Sequence, residues 1–157
     1  MKQRKLTRQY DKPLLAVLAG ALSGIAKALV TFIGKKLGLA TIDIVQIGAA
    51  IITKHQIFGL GQYIIGWIVH ILISGFIGVG FYYSLILFGR DYLIPKAIGA
   101  GLFFWLVNSI IALYLGLPLF HYRNLTMHLI LFVSGIIYGV TLGWLLGKYV
   151  FKEKRFS

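Results

Sequence analysis

The sequence predicts an all-α fold, a polytopic transmembrane bundle of four helices with an additional outer interfacial or re-entrant amphipathic helix. Of its 157 residues, 59% are hydrophobic and only 13% are charged, and the mean hydropathy is +0.85. A soluble domain carries roughly 25% charged residues, so most of this surface is expected to face lipid. Most charged residues lie at the two ends or in short gaps between long apolar runs. The length suits one unit, and we expect a single transmembrane domain over residues 1–157.

The first predicted span covers residues 13–33, after a basic segment. Pro13 suits the first turn of a helix, where its missing N–H costs nothing. About 20 apolar residues are enough to cross the hydrocarbon core. Ala26-Lys27-Ala28 looks like a signal-peptide cleavage site, but the apolar run continues beyond it. We therefore expect a retained first helix.

Residues 39–54 form an amphipathic segment, with Asp43, Gln46, Thr53 and Lys54 on one helical face. The segment is short for a span and carries a charge. It is therefore predicted to be an interfacial or re-entrant helix on the outer side. A fifth crossing is the alternative that the sequence leaves open.

Three further spans are predicted in the second half of the chain. The apolar run at residues 57–88 would measure about 48 Å as one helix, longer than a ~30 Å hydrocarbon core. Gly59 and Gly61 are therefore predicted to break its beginning. A polar turn around Pro95 and a polar loop at 118–126 separate the remaining runs. The predicted spans are residues 64–88, 97–117 and 127–150.

The positive charges predict the orientation. Of the 16 lysines and arginines, eleven lie at the two ends or in the loop at 90–96, and four lie in the other connections. The positive-inside bias then places both termini on the cytoplasmic side of a cell membrane. Topology and anionic lipid explain the net charge of +12 better than nucleic acid does, because no nucleic-acid motif is visible. We expect membrane lipids as partners and no nucleic acid.

Glycines at steps of four mark one face of the fourth span, with a shorter version in the first. Without side chains there, another helix can approach closely, and van der Waals packing drives association in lipid. The pattern is compatible with packing inside the bundle and with a seam to a homo-oligomer or another membrane protein. The glycines predicted to pack helices are Gly20, Gly24, Gly78, Gly135, Gly139, Gly143 and Gly147.

Polar residues occur at matching depth on several segments. Lys27 is the most unusual, because a charge inside a span costs roughly 2.5–3.5 kcal/mol even on the gentler insertion scale. It is expected either to snorkel outward along its own stem or to pair with Asp43. The concentration of polar groups in the outer half predicts a pocket that opens outward; unrelated interhelical hydrogen bonds are the alternative. The residues predicted to line this pocket are Lys27, Asp43, His70, Ser74, Asn108 and His128.

No motif for catalysis is visible. The chain has no cysteine, phosphate loop, HExxH motif or nucleophile elbow, and its four histidines lack metal-ligand spacing. We expect no enzyme, cofactor or metal. The predicted function is a small transporter or channel-type protein, or a subunit of one, for a small polar or anionic solute. The alternative is a scaffold or accessory subunit that associates through its glycine-rich helix face.

The stretch Gly66-Trp67-Ile68-Val69-His70, followed by Ser74, Gly78 and Tyr82, resembles a pattern in small four-helix integral membrane proteins of Gram-positive bacteria whose activity is uncharacterised. The order of parts is similar as well. The resemblance implies the fold. It brings no activity and no functional residues.

Overall fold

The computed structural model describes residues 11–53, 59–114 and 125–151, which contain helices and no strand. Four of the helices are long and apolar enough to cross a membrane. The remaining helix, Ile44–Thr53, has only 10 residues. The predicted fold class is confirmed. The helices are α1 (Lys12–Lys36), α2 (Ile44–Thr53), α3 (Leu60–Phe88), α4 (Leu93–Tyr114) and α5 (Leu125–Leu145), and α5 continues into a π-helical turn (Leu146–Val150).

Local signals set the two ends of α1. At its beginning, Asp11 Oδ1 accepts a hydrogen bond of 3.3 Å from the Leu14 N–H, as an N-cap does. At its end, Gly38 has a φ of +72°, and the Leu39 N–H donates to Gly34 O at 2.9 Å. This is the glycine-terminated form of helix end that reuses free carbonyls. The helix therefore extends past the predicted residue 33 and carries two lysines in its last turn.

Helix α3 begins at Leu60, earlier than the predicted residue 64. The Gly59 N–H donates to Gln62 Oε1 at 2.9 Å, which caps the first turn. Gly61 lies within the helix, so the predicted break there is wrong. The 29 residues of α3 measure about 43 Å, more than a ~30 Å hydrocarbon core.

A short turn joins α3 to α4. Gly89 and Tyr92 both have positive φ, of +82° and +55°. Lys96 Nζ donates to the carbonyls of Phe88 and Gly89 at 3.2 and 3.1 Å, which satisfies the end of α3. Helix α4 begins at Leu93, before the predicted residue 97, because Pro95 is tolerated in a first turn. The predicted end of this span at 117, the loop that follows it, Lys54 and the basic segments at 2–8 and 152–155 lie outside the described residues.

The long helices pack through glycine faces. Helix α1 lies between α3 and α5, α4 packs on α5, and α2 packs on α3. A Cβ added to Gly78 of α3 would lie 2.7 Å from the Gly20 Cα of α1, and one added to Gly139 of α5 would lie 2.5 Å from the Ala97 carbonyl of α4. Although α3 and α4 are neighbours in sequence, they make little direct contact.

The bundle has two ends of different character. At the termini end, where α1 begins and the π-helical turn closes α5, a core cluster is built from residues such as Ile77, Phe81, Leu85 and Leu142. At the α2 end, a second cluster joins α2 to α1 and α5. All buried polar residues recorded in the described chain lie between the middle of the bundle and the α2 end: Ser23, Lys27, Thr31, Asp43, Gln46, His70, Ser74 and Ser134.

Candidate functional site

A cavity of about 40 Å³ lies towards the α2 end, and side chains or backbone of all five helices line it. A buried site needs roughly 10–15 Å³ for one water, so there is room for a few waters or one small ion. The cavity sits where α3 and α4 fail to pack against each other. Its polar side chains are Lys27 of α1, His70 and Ser74 of α3, Asn108 of α4 and Tyr138 of α5; α2 contributes an apolar wall of Ile44, Ile47, Gly48 and Ile51.

Lys27 carries an ammonium group into this cavity. The residue is 7% exposed, so it does not snorkel to the surface. Among the described residues, the one ion pair joins Lys35 to Asp43, and no hydrogen-bond partner of the Lys27 ammonium is present. Both expectations for Lys27 are therefore wrong. A buried charge without a counter-charge is costly, so this ammonium calls for an anion or for polar molecules in the cavity.

His70 and Tyr138 hold the backbone around the cavity. His70 Nε2 lies 2.9 Å from the Gly24 carbonyl of α1. A carbonyl can only accept, so Nε2 carries the hydrogen in this contact. The Tyr138 hydroxyl of α5 donates to the Ser74 carbonyl of α3 at 2.8 Å. These two bonds connect α1, α3 and α5 about one turn apart along α3.

The Ser74 hydroxyl differs from the other buried serines. Ser23 and Ser134 each donate to a carbonyl of their own helix at 2.7 Å, the usual outlet for a serine in a helix. In the part of the chain that the structure describes, neither the Ser74 hydroxyl nor the Asn108 side chain has such a partner. Lys27, Ser74 and Asn108 therefore bring three hydrogen-bonding side chains from three helices to the cavity. These side chains can still form hydrogen bonds with a bound molecule.

Asp43 does not line this cavity. It caps α2, because Asp43 Oδ1 accepts from the Gln46 N–H at 3.0 Å and the Asp43 N–H donates to Gln46 Oε1 at 3.2 Å. Asp43 Oδ2 also accepts from Lys35 Nζ at 3.4 Å and from the Tyr63 hydroxyl at 2.5 Å, and Lys35 contacts Gln46 as well. The carboxylate therefore ties α2 to α1 and α3. Lys35 is its partner because the last turn of α1 lies closer to it than Lys27 does.

His128 also lies apart from the cavity, half-buried near the start of α5. The structure thus brings four of the six predicted residues together: Lys27, His70, Ser74 and Asn108. Sequence reasoning missed Tyr138, which looks like another aromatic residue of a packed helix. It also missed the pairing of Asp43, although the spacing of Asp43 and Gln46 is a capping signal that the sequence contains.

The predicted glycine faces are used within the chain. Gly20 and Gly24 face Ser74 and Gly78 across the α1–α3 interface. Gly135, Gly139, Gly143 and Gly147 face α4 residues between Leu93 and Trp105. A side chain at most of these positions would meet the neighbouring helix inside the same molecule.

Comparison with known proteins adds no relative. No family model, curated protein or solved structure matches the chain.

Proposed function

We propose that this multi-pass protein binds a small anionic solute in the cavity around Lys27, as a small transporter or channel-type protein or as a subunit of one. The buried ammonium of Lys27, which lacks a counter-charge among the described residues, carries the proposal. The Ser74 hydroxyl and the Asn108 amide add hydrogen-bond donors from two other helices. Such a set of donors around one positive charge suits an anion.

The size and position of the cavity support a small solute. About 40 Å³ is too little for a metabolite of ordinary size. The α3–α4 gap beside it offers a route that needs no helix interface to be broken, because these helices make little contact. We favour binding over catalysis, since Asp43, the one carboxylate near this region among the described residues, is already bound by Lys35 and Tyr63.

The test is flux of chloride, nitrate and formate into proteoliposomes, with thermal stabilisation of the purified protein by the same anions. Lys27→Met and Asn108→Ala should each abolish or strongly reduce both signals. Lys12→Met is the matched control, because Lys12 lies on the same helix and is exposed. A wild type that neither transports nor responds to these anions, or a Lys27→Met variant that keeps both properties, would contradict the proposal.

We further propose a cell-membrane location with both termini cytoplasmic. The excess of lysine and arginine at the termini end supports this orientation. The chain has no cysteine, so single cysteines can be introduced without background. Leu37→Cys, at an exposed position near the α2 end, should react with an impermeant maleimide in intact cells, whereas Ser157→Cys should react only after permeabilisation. The opposite pattern would invert the orientation.

The accessory-subunit alternative retains one supporting observation. The glycine faces are occupied within the molecule, but among the described residues of α4 only Ala97 and Gly101 are buried. The rest of α4 is available to a second copy or to another membrane protein. Cross-linking from Phe103→Cys, which lies at a 60% exposed position, should trap such a partner in native membranes. A monomer without cross-links there would count against this alternative.

A further inference from the structure

A surface groove of about 220 Å³ lies at the α2 end, between α1 and α3, and shares no residue with the cavity around Lys27. Its walls are mostly apolar. Three of its residues are partly exposed at the protein surface, with exposed fractions of 54% for Leu29, 44% for Phe32 and 36% for Trp67. The residues that line it, here called the lipid groove, are Ala28, Leu29, Phe32, Asp43, Val45, Tyr63 and Trp67.

One wall of the lipid groove belongs to the outward stripe of α1. This stripe follows helical steps of three and four from Leu22 through Ile25, Leu29 and Phe32 to Lys36. Because its apolar members are 40–54% exposed in a helix long enough to cross a membrane, the stripe faces the hydrocarbon region. Lys36 therefore marks the point where the stripe reaches the membrane surface.

The charge at this end of the groove is positive. Lys36 Nζ lies 5.6 Å from the centroid of the Phe32 ring, directly at the groove wall. Among the described residues, Lys36 has no carboxylate partner. The carboxylate of Asp43 is 2% exposed and is bound by Lys35 and Tyr63, so it presents little negative charge to a ligand. The lipid groove is apolar and ends at the Lys36 ammonium, which has no carboxylate partner among the described residues. This arrangement matches an acyl chain attached to an anionic headgroup.

We propose that the lipid groove is a binding site for an anionic phospholipid, with an acyl chain along Leu29, Phe32 and Trp67 and the headgroup phosphate on Lys36. The site does not involve the cavity and does not depend on the proposed transport of an anion. Lys35 supplies additional positive charge from the same helix turn, although its own ammonium is committed to Asp43. The aromatic rings of Tyr63 and Trp67 lie where such side chains favour the boundary between lipid and water.

Trp67 lines the lipid groove and provides the reporter. The protein is placed in nanodiscs of phosphatidylglycerol and phosphatidylcholine in equal parts, in which one lipid or the other carries dibrominated acyl chains that quench tryptophan. The Trp67 signal is the difference between each protein and its Trp67→Phe counterpart, which retains the partly buried Trp105 and the exposed Trp144. Phosphatidylglycerol should be preferred at Trp67 by about fivefold, the ratio expected for one lysine near a membrane surface (~1 kcal/mol).

Lys36→Met should remove this preference, whereas Lys12→Met, on the same helix at the opposite end, should retain it. Trp144 lies beside Lys148 at the termini end, with the ammonium 4.6 Å from its ring, and its quenching should not respond to Lys36→Met. Equal quenching of Trp67 by both lipids, or a preference that survives Lys36→Met in a monodisperse protein, would overturn the proposal. Displacement of the brominated lipid by soluble glycerol phosphate would also overturn it, because the headgroup alone would then be the ligand.

Discussion

At both ends of the bundle, helices meet through glycines and apolar side chains, but among the described residues the buried polar groups lie between the middle of the bundle and the α2 end. Gly78 of α3 lies against Gly20 of α1, and Leu85 and Leu142 belong to the apolar core cluster at the termini end. Towards the other end lie the cavity around Lys27, the network of Asp43 and the lipid groove. The four long helices run through both ends, and α2 is added at one of them.

The two ends of the bundle therefore contribute differently to stability and to function. Close backbone contact provides dispersion energy, the main attraction between helices in lipid, and it tolerates little change of volume. Polar groups inside a membrane weaken the fold unless they are paired, and they therefore indicate binding. The termini end is accordingly expected to determine stability, and the α2 end to determine function.

The largest effect is expected from filling the α1–α3 interface. Gly78→Leu should lower the free energy of unfolding by about 3 kcal/mol, because the new side chain must displace the Gly20 backbone rather than a flexible neighbour. Unfolding in mixed micelles measures the change. Gly80→Leu is the control, since Gly80 lies on the same helix with nothing within 4 Å of an added Cβ. Similar stabilities for the two variants would remove the distinction between the ends.

Lys27→Met should act in the opposite direction. Removing a buried charge that has no counter-charge should raise the free energy of unfolding by up to ~3 kcal/mol in the absence of ligand. The same unfolding assay measures it, with Lys12→Met expected to stay within about 0.5 kcal/mol of wild type. Destabilisation by Lys27→Met would mean that the ammonium has a stabilising partner and that the α2 end is not strained by it.

Asp43→Ala should loosen α2 while leaving the termini end intact. It removes an N-cap and the contacts to Lys35 and Tyr63, a loss of about 2 kcal/mol in local stability. Hydrogen exchange of the α2 amides should accelerate accordingly, and that of the termini half of α5 should not. Asp43→Asn retains capping ability and should fall between Asp43→Ala and wild type, whereas Asp91→Ala, at an exposed position, should change neither region. Equal acceleration in both regions would show that the two ends unfold together.

The smallest effect is expected from Tyr138→Phe, which removes one hydrogen bond between α5 and the Ser74 carbonyl. The expected loss is about 1 kcal/mol in the unfolding assay. Tyr82→Phe serves as the comparison, because the Tyr82 ring is buried against Phe151 and its hydroxyl has no hydrogen bond with the described residues. A larger loss for Tyr82→Phe would mean that the more stabilising tyrosine hydroxyl lies at the termini end, which would contradict the comparison.

Hydrophobic length and glycine spacing were sufficient to predict the four long helices, because both are local properties of the sequence. Helix ends were less predictable: Gly59 caps α3, so the helix begins at Leu60 and includes Gly61. Residues of the candidate site could be predicted only where depth along the membrane-spanning helix is enough to place a side chain at the cavity, as for Lys27 and His70. The partner of Asp43 depends on how far α1 extends and on the approach of α3, and neither is written in the spacing of residues 39–54.

The scarcity of contact between α3 and α4 has a consequence for how the protein is made. Helices α1, α2 and α3 contact one another, so this unit can assemble once α3 has entered the membrane. In the described chain, α4 has its one extensive contact with α5, which is synthesised later. We therefore expect the Gly101 face of α4 to stay uncovered during insertion until α5 arrives and packs against it.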